Sequence, residues 1–108
     1  MRIEIEGKSY PIRYSWNALR LIGDELNMSM NDMLKFDLMN RKISDTFVFV
    51  YYGFKEGARL NEEECKVKDI EQVGDLLDKD SSILAKAIEC FAEDMKSMQG
   101  GKGDDKKK

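Results

Sequence analysis

The stretch MRIEIEGKSYPIRYSWNALRLIGDEL, residues 1–26, decides the fold. Arg2-Ile3-Glu4-Ile5-Glu6 alternates polar and apolar side chains, the two-residue period of a strand with one wet face. Gly7-Lys8 reads as the turn, and Ser9-Tyr10-Pro11-Ile12-Arg13 as the return strand. Pro11 has no N–H to give to a ladder, which places the second strand at an edge around that residue. Ser15 is then the cap of a helix whose apolar positions are Trp16, Leu19, Leu21, Ile22 and Leu26. A hairpin running into an amphipathic helix presents a surface, and the stretch holds none of the residue types that usually carry catalysis.

The rest of the chain reads as helices. Ser29 or Asn31 caps a second helix from Met30 to about Met39, with Met30, Met33, Leu34 and Leu38 as its stripe. Ser44 is the expected cap of a third, with Asp45 favouring the positive end of its dipole. Residues 46–54, TFVFVYYGF, favour a strand on propensity. The helical register of Phe47, Val50, Tyr51, Phe54 and Ala58 favours a buried helix through Arg59 with Gly57 near its end, and helix is the reading adopted. Leu60-Asn61-Glu62-Glu63-Glu64 has the look of another helix start. A helix follows from Asp69 with Ile70, Val73, Leu76 and Leu77 inward. The last one is capped by Asp80, Ser81 or Ser82, and carries Ile83, Leu84, Ala87, Ile88, Phe91, Ala92, Met95 and Met98 at three- and four-residue steps. The fold class is therefore α+β: an N-terminal β-hairpin followed by a mainly α-helical small domain over residues 1–98. Residues 99–108 lack apolar side chains and include three glycines, so they read as a disordered tail.

At 108 residues the chain is one domain, long enough to bury roughly 60–70% of its unfolded surface. The tail carries +2, so a net charge of −3 leaves −5 on residues 1–98. An acidic body argues against nucleic-acid binding, which needs clustered Lys and Arg. No run of residues is apolar enough to span a membrane. Cys65 and Cys90 lack metal-ligand spacing and there is no His, which argues against zinc and removes the usual neutral-pH base. In the absence of an apolar secretory segment both thiols are expected to be reduced and the protein cytoplasmic. Asp78, Asp80, Ser82 and Glu89 have calcium-loop spacing, but Ile83 stands where the loop needs glycine, so an acidic helix cap is the better reading. Gly100-Gly101-Lys102-Gly103 lacks the strand, hydroxyl residue and helix of a phosphate loop. No cofactor, metal or enzymatic activity is expected.

What remains is binding. Seven methionines are many for this length, and Met suits adaptable surfaces as well as gap-filling in a core. Met30, Met33, Met95 and Met98, with Phe47, Tyr51, Tyr52 and Phe54 on the aromatic helix, are the candidate partner-binding residues.

The pattern I-x-I-x-G-K-x-Y-P-I-R, then A-L-R-x-I-x-x-E-L, resembles the tail assembly chaperones of long-tailed (siphovirus-type) bacteriophages or prophages. The residues that carry it are Ile3, Ile5, Gly7, Lys8, Tyr10, Pro11, Ile12, Arg13, Ala18, Leu19, Arg20, Ile22, Glu25 and Leu26. The likeness continues more loosely through residues 28–98 as short helices ending in a longer one. It implies a non-enzymatic protein that coats the tape measure protein and helps recruit tail tube subunits. Such a protein acts in the host cytoplasm, is absent from the mature particle, and is expected to be a homo-oligomer, joined through the edge near Pro11 or the aromatic helix. The alternative is a small cytoplasmic adaptor or regulatory protein of a bacterial mobile element.

Overall fold

A computed structural model describes residues 1–98; the predicted tail lies outside the described residues. The hairpin is β1 (Arg2–Ile5) and β2 (Lys8–Pro11), antiparallel, with Ile5 opposite Lys8 and Arg2 opposite Pro11. Its turn is Glu6-Gly7, one residue earlier than the sequence suggests, with φ of 53° and 80° at the two positions. Both angles lie in the left-handed region that a two-residue hairpin needs, and Gly7 meets it without strain. Five helices follow: α1 (Trp16–Leu26), α2 (Met30–Leu34), α3 (Ile43–Leu60), α4 (Ile70–Lys79) and α5 (Ser82–Met98). This is the expected α+β arrangement, and no helix among the described residues is long and apolar enough to cross a membrane.

Local signals account for most boundaries. Ser15 Oγ accepts the Ala18 N–H (3.1 Å) and caps α1, which ends at Asn27 in the left-handed conformation. Ser29 and Asp32 form a reciprocal capping box at α2. Asp69 accepts from Gln72 N–H at the start of α4, and Asp80 Oδ1 accepts from both Ser82 N–H and Ser82 Oγ at the start of α5.

Three expectations are corrected. The second helix stops at Leu34 instead of continuing to Met39, and a single 3-10 turn covers Leu38–Asn40. The break lets Phe36 reach the aromatic cluster, 5.1 Å from Phe49 and 6.0 Å from Phe91 between ring centres. Ser44 does not cap α3: the helix begins at Ile43, and Lys42 in the cap position offers no side-chain bond. The stretch from Leu60 to Glu64 is a helix stop. Glu62 is left-handed (φ 56°), Glu63 N–H bonds back to Ala58 O (2.9 Å), and Glu62 N–H bonds to Arg59 O (3.2 Å). That pair of bonds is a Schellman ending. Acidic residues there face the negative end of the α3 dipole, and Arg2 compensates with a two-pronged bond to Glu63 at 2.8 and 3.1 Å.

Residues 46–54 are helical, as read, despite their β-branched and aromatic content. The reason is what α3 packs against. A Cβ on Gly57 would lie 2.4 Å from Pro11 C and O, and one on Gly53 would lie 2.6 Å from the Tyr14 ring. Two glycines one turn apart thus cut a groove in α3, and the chain from Pro11 to Tyr14 lies in it. Arg13 N–H donates to Gly53 O (3.0 Å), and Tyr14 Oη donates to Phe49 O (3.0 Å). The Tyr14 ring stacks on Phe49 at 4.5 Å and meets Phe91 edge-on at 5.5 Å. Its N–H is held by Asp94 Oδ2 at 2.8 Å, which ties the hairpin to α5. Ile3, Ile5, Ile12, Ile22, Val50, Val73, Ile83 and Ala87 complete the core around this stack.

Among the described residues one charged group is inside. Glu56 is 2% exposed; it accepts from Ser15 Oγ (2.6 Å) and from Arg59 Nε and Nη2 (2.8 and 2.9 Å). The Arg59 bonds, helped by Ser15, hold its carboxyl below the usual carboxylate range. Cys65 and Cys90 are unpaired thiols.

Candidate partner-binding surface

The eight residues singled out from sequence divide into core and surface. Met33 and Phe54 are each 2% exposed, and Met95 is also buried. These three are taken up by the core: Phe54 packs edge-on against Tyr10 at 5.8 Å, and Met33 is the inward residue of α2. None of them offers area to a partner in this fold. Phe47 is half-buried, its ring lying over Gly74 of α4, where an added Cβ would come within 3.1 Å. Met98 is also half-buried against the core. Tyr51 and Tyr52 sit side by side with ring centres 5.1 Å apart. Tyr52 is tethered, because its Oη donates to Glu25 Oε1 at 2.6 Å and so fastens α3 to α1. That carboxylate pushes the Tyr52 hydroxyl up to about 12, so it keeps its proton at any physiological pH.

Met30 is different. At 47% exposed it lines a groove of about 190 Å³ between α1 and α2, together with Leu19, Gly23, Met28 and Met33. Trp16, 58% exposed, lines the same groove, as do Arg20, Asp24 and Ser29. Gly23 permits the narrow geometry, since a Cβ there would sit 3.0 Å from Met28 O. A second apolar cleft, about 210 Å³, is framed by Phe36, Leu38, Phe49, Ile88 and Phe91. Between the two runs a more polar hollow bordered by Met28 and Phe36 with Asp32, Lys35 and Arg41. Met28 borders the first and middle hollows, and Phe36 the middle and last. Residues 28–41 therefore carry a chain of depressions that is apolar at both ends and charged in the middle.

By sequence Trp16 falls in the apolar stripe of α1, yet it is a surface residue. The signal was present. Trp16, Arg20 and Asp24 fall at i, i+4 and i+8, so they share one face, and Arg20 and Asp24 mark that face as solvent-facing. Ile43 and Leu60 on α3, Leu34 on α2 and Ile88 on α5 are the other large apolar side chains left open on the helices among the described residues.

Cys90 is buried beside Asp94, with Sγ 3.4 Å from Oδ2, and burial together with that carboxylate pushes its thiol up to about 12. A thiol held that high stays protonated and is a poor nucleophile at neutral pH. Among the described residues no three His, Cys, Asp or Glu side chains converge as a metal site would require. No protein-family model, no curated protein and no solved structure matches this chain.

Proposed function

We propose that this chain is a tail assembly chaperone of a long-tailed phage or prophage, acting in the host cytoplasm by holding segments of the tape measure protein and helping recruit tail tube subunits. The resemblance over residues 3–26 supports the family. The single observation that supports binding as the mode of action is that Trp16 and Met30 both stand exposed at the α1–α2 groove. An indole and a thioether left half in water at one largely apolar trough offer large, adaptable contact area to the apolar stripe of a helix. A long helical client presents that stripe repeatedly, so weak contacts per copy add along its length.

This reading expects a long, helix-rich tape measure protein encoded beside this chain's gene, and the test is co-expression with it. The wild-type chain is expected to keep that protein soluble and to co-purify with it. Trp16→Ala with Met30→Ser is expected to lose the client while melting at the wild-type temperature. A wild-type chain that retains no such client, together with normal long-tailed particles after deletion of its gene, refutes the reading.

A further inference from the structure

The register of the hairpin determines which of its two edges is open. Ile5 and Lys8 flank the two-residue turn, followed outward by Glu4 with Ser9, Ile3 with Tyr10 and Arg2 with Pro11. In such a hairpin the pair next to the turn exchanges both ladder bonds, and bonded and non-bonded pairs then alternate. Ile5 and Ile3 thus point their N–H and C=O toward β2, while Glu4 and Arg2 point theirs outward. The bond from Ile12 N–H to Met1 O (3.0 Å) continues the same alternation. On β2 the outward positions are Ser9 and Pro11, with Arg13 beyond the strand, and each is spoken for. Lys66 Nζ donates to Ser9 O (3.2 Å), Pro11 has no N–H and lies against Gly57, and Arg13 N–H donates to Gly53 O. The edge near Pro11, expected to be a route to self-association, is therefore covered by α3. On β1, no hydrogen bond among the described residues engages the backbone of Arg2 or Glu4, and both residues are exposed.

We propose that this open edge pairs with the same edge of a second copy, antiparallel about a two-fold axis at Ile3, to give a continuous four-stranded sheet. The charges select both the partner and the register. With the axis at Ile3, Arg2 stands opposite Glu4 of the second copy, twice, and these are the pairs whose outward N–H and C=O groups meet. Moving the axis to Glu4 sets two carboxylates face to face, and moving it to Arg2 sets two guanidiniums face to face. Charged residues on an edge usually repel a second strand; here they alternate in sign and are complementary to themselves. Arg2 spends three donors on Ser9 and Glu63, leaving others of its five for an incoming carboxylate. No ion pair or hydrogen bond among the described residues engages the Glu4 side chain. On the inner face the axis brings Met1, now 48% exposed, over Ile5 of the second copy. A two-fold pairing of this kind closes on itself and stops at the dimer. The inference does not depend on the chaperone reading.

Glu4→Pro gives the sharpest test. Its ring replaces an N–H that points outward, as Pro11 does on β2, so the hairpin keeps every internal bond while the edge loses a donor and gains a steric block. Sedimentation equilibrium of the full chain is expected to show a reversible dimer for wild type and a monomer for Glu4→Pro, with unchanged circular dichroism. Glu4→Arg alone puts Arg2 opposite arginine and is expected to weaken dimerisation about ten-fold. Arg2→Glu combined with Glu4→Arg restores opposite charges and is expected to recover dimerisation relative to Glu4→Arg. If Glu4→Pro fails to fold, the charge-swap pair decides the matter alone. A wild-type chain that stays monomeric at millimolar concentration overturns the proposal, as it would if the edge serves a strand of a different protein. So does an oligomer indifferent to both substitutions at Glu4.

Discussion

Gly57→Ala sets two effects of opposite sign against each other. In the interior of a helix the change from glycine to alanine is worth about 1 kcal/mol in favour of folding. At this position the new Cβ would lie 2.4 Å from Pro11 C and O and 2.5 Å from Ile12 N. Ordinary contact between such atoms is about 3.5 Å, so the hairpin backbone must retreat by roughly 1 Å. That retreat overpacks the groove at about 3 kcal/mol. It also stretches the Arg13 N–H bond to Gly53 O, now 3.0 Å, at about 1 kcal/mol. The net expectation is a loss of about 3 kcal/mol, which for a domain of this size lowers the melting temperature by roughly 12–24 °C. Urea titration followed by circular dichroism measures the loss directly. Gly74→Ala is the control: its Cβ would meet only the edge of the half-buried Phe47 ring at 3.1 Å, which can yield, and the expected change is below about 1 kcal/mol. A Gly57→Ala protein as stable as wild type would refute the close approach of β2 to α3.

Glu56→Gln is expected to destabilise by about 1–3 kcal/mol at pH 7, because the buried position loses its charge-assisted bonds to Arg59 and Ser15. Since the folded-state carboxyl sits below its ordinary 4.5, its contribution is complete above that pH and fades as pH falls through the lowered value. The gap between wild type and variant in urea midpoint should therefore close on acidification below about pH 4.5, and a gap constant from pH 7 to 3 contradicts this account. A disulfide-exchange reagent at pH 8 should label Cys65 rapidly and Cys90 only after denaturant is added, as counted by absorbance; fast labelling of both would show the α5–hairpin contact to be open. Trp16, the chain's one tryptophan, should fluoresce at the long wavelength of a solvated indole, and Trp16→Ala should shift stability by no more than about 0.5 kcal/mol. A blue-shifted emission in dilute protein would place that ring in a contact.

Wherever one side chain sets a boundary, the sequence was readable. Ser15, Ser29, Asp69 and Asp80 each take the cap role that their type and position suggest, because capping is decided within four residues. Ambiguity and error arose where distant contacts decide, Ser44 excepted, since α3 begins one residue before it and leaves it no cap position. The α3 segment looked ambiguous because β-propensity reports local packing preference, whereas the groove made by Gly53 and Gly57 exists to fit residues some forty positions earlier. Leu60–Glu64 carried the acidic composition of a helix start, yet Arg2 neutralises it from the other end of the chain and it closes α3 instead. Of the candidate contact residues, Met30 stands exposed at the α1–α2 groove, whereas Met33 and Phe54 are buried. Met33 and Phe54 were not separable from it, since residue type alone does not tell a gap-filling methionine or phenylalanine from an exposed one.

The Tyr14 stack has a consequence for cooperativity. Its ring packs on both Phe49 and Phe91, and its amide is held by Asp94, so one residue beside the hairpin draws on α3 and α5 together. Loosening either helix withdraws support from the strands, and the domain is expected to melt in a single step rather than piecemeal.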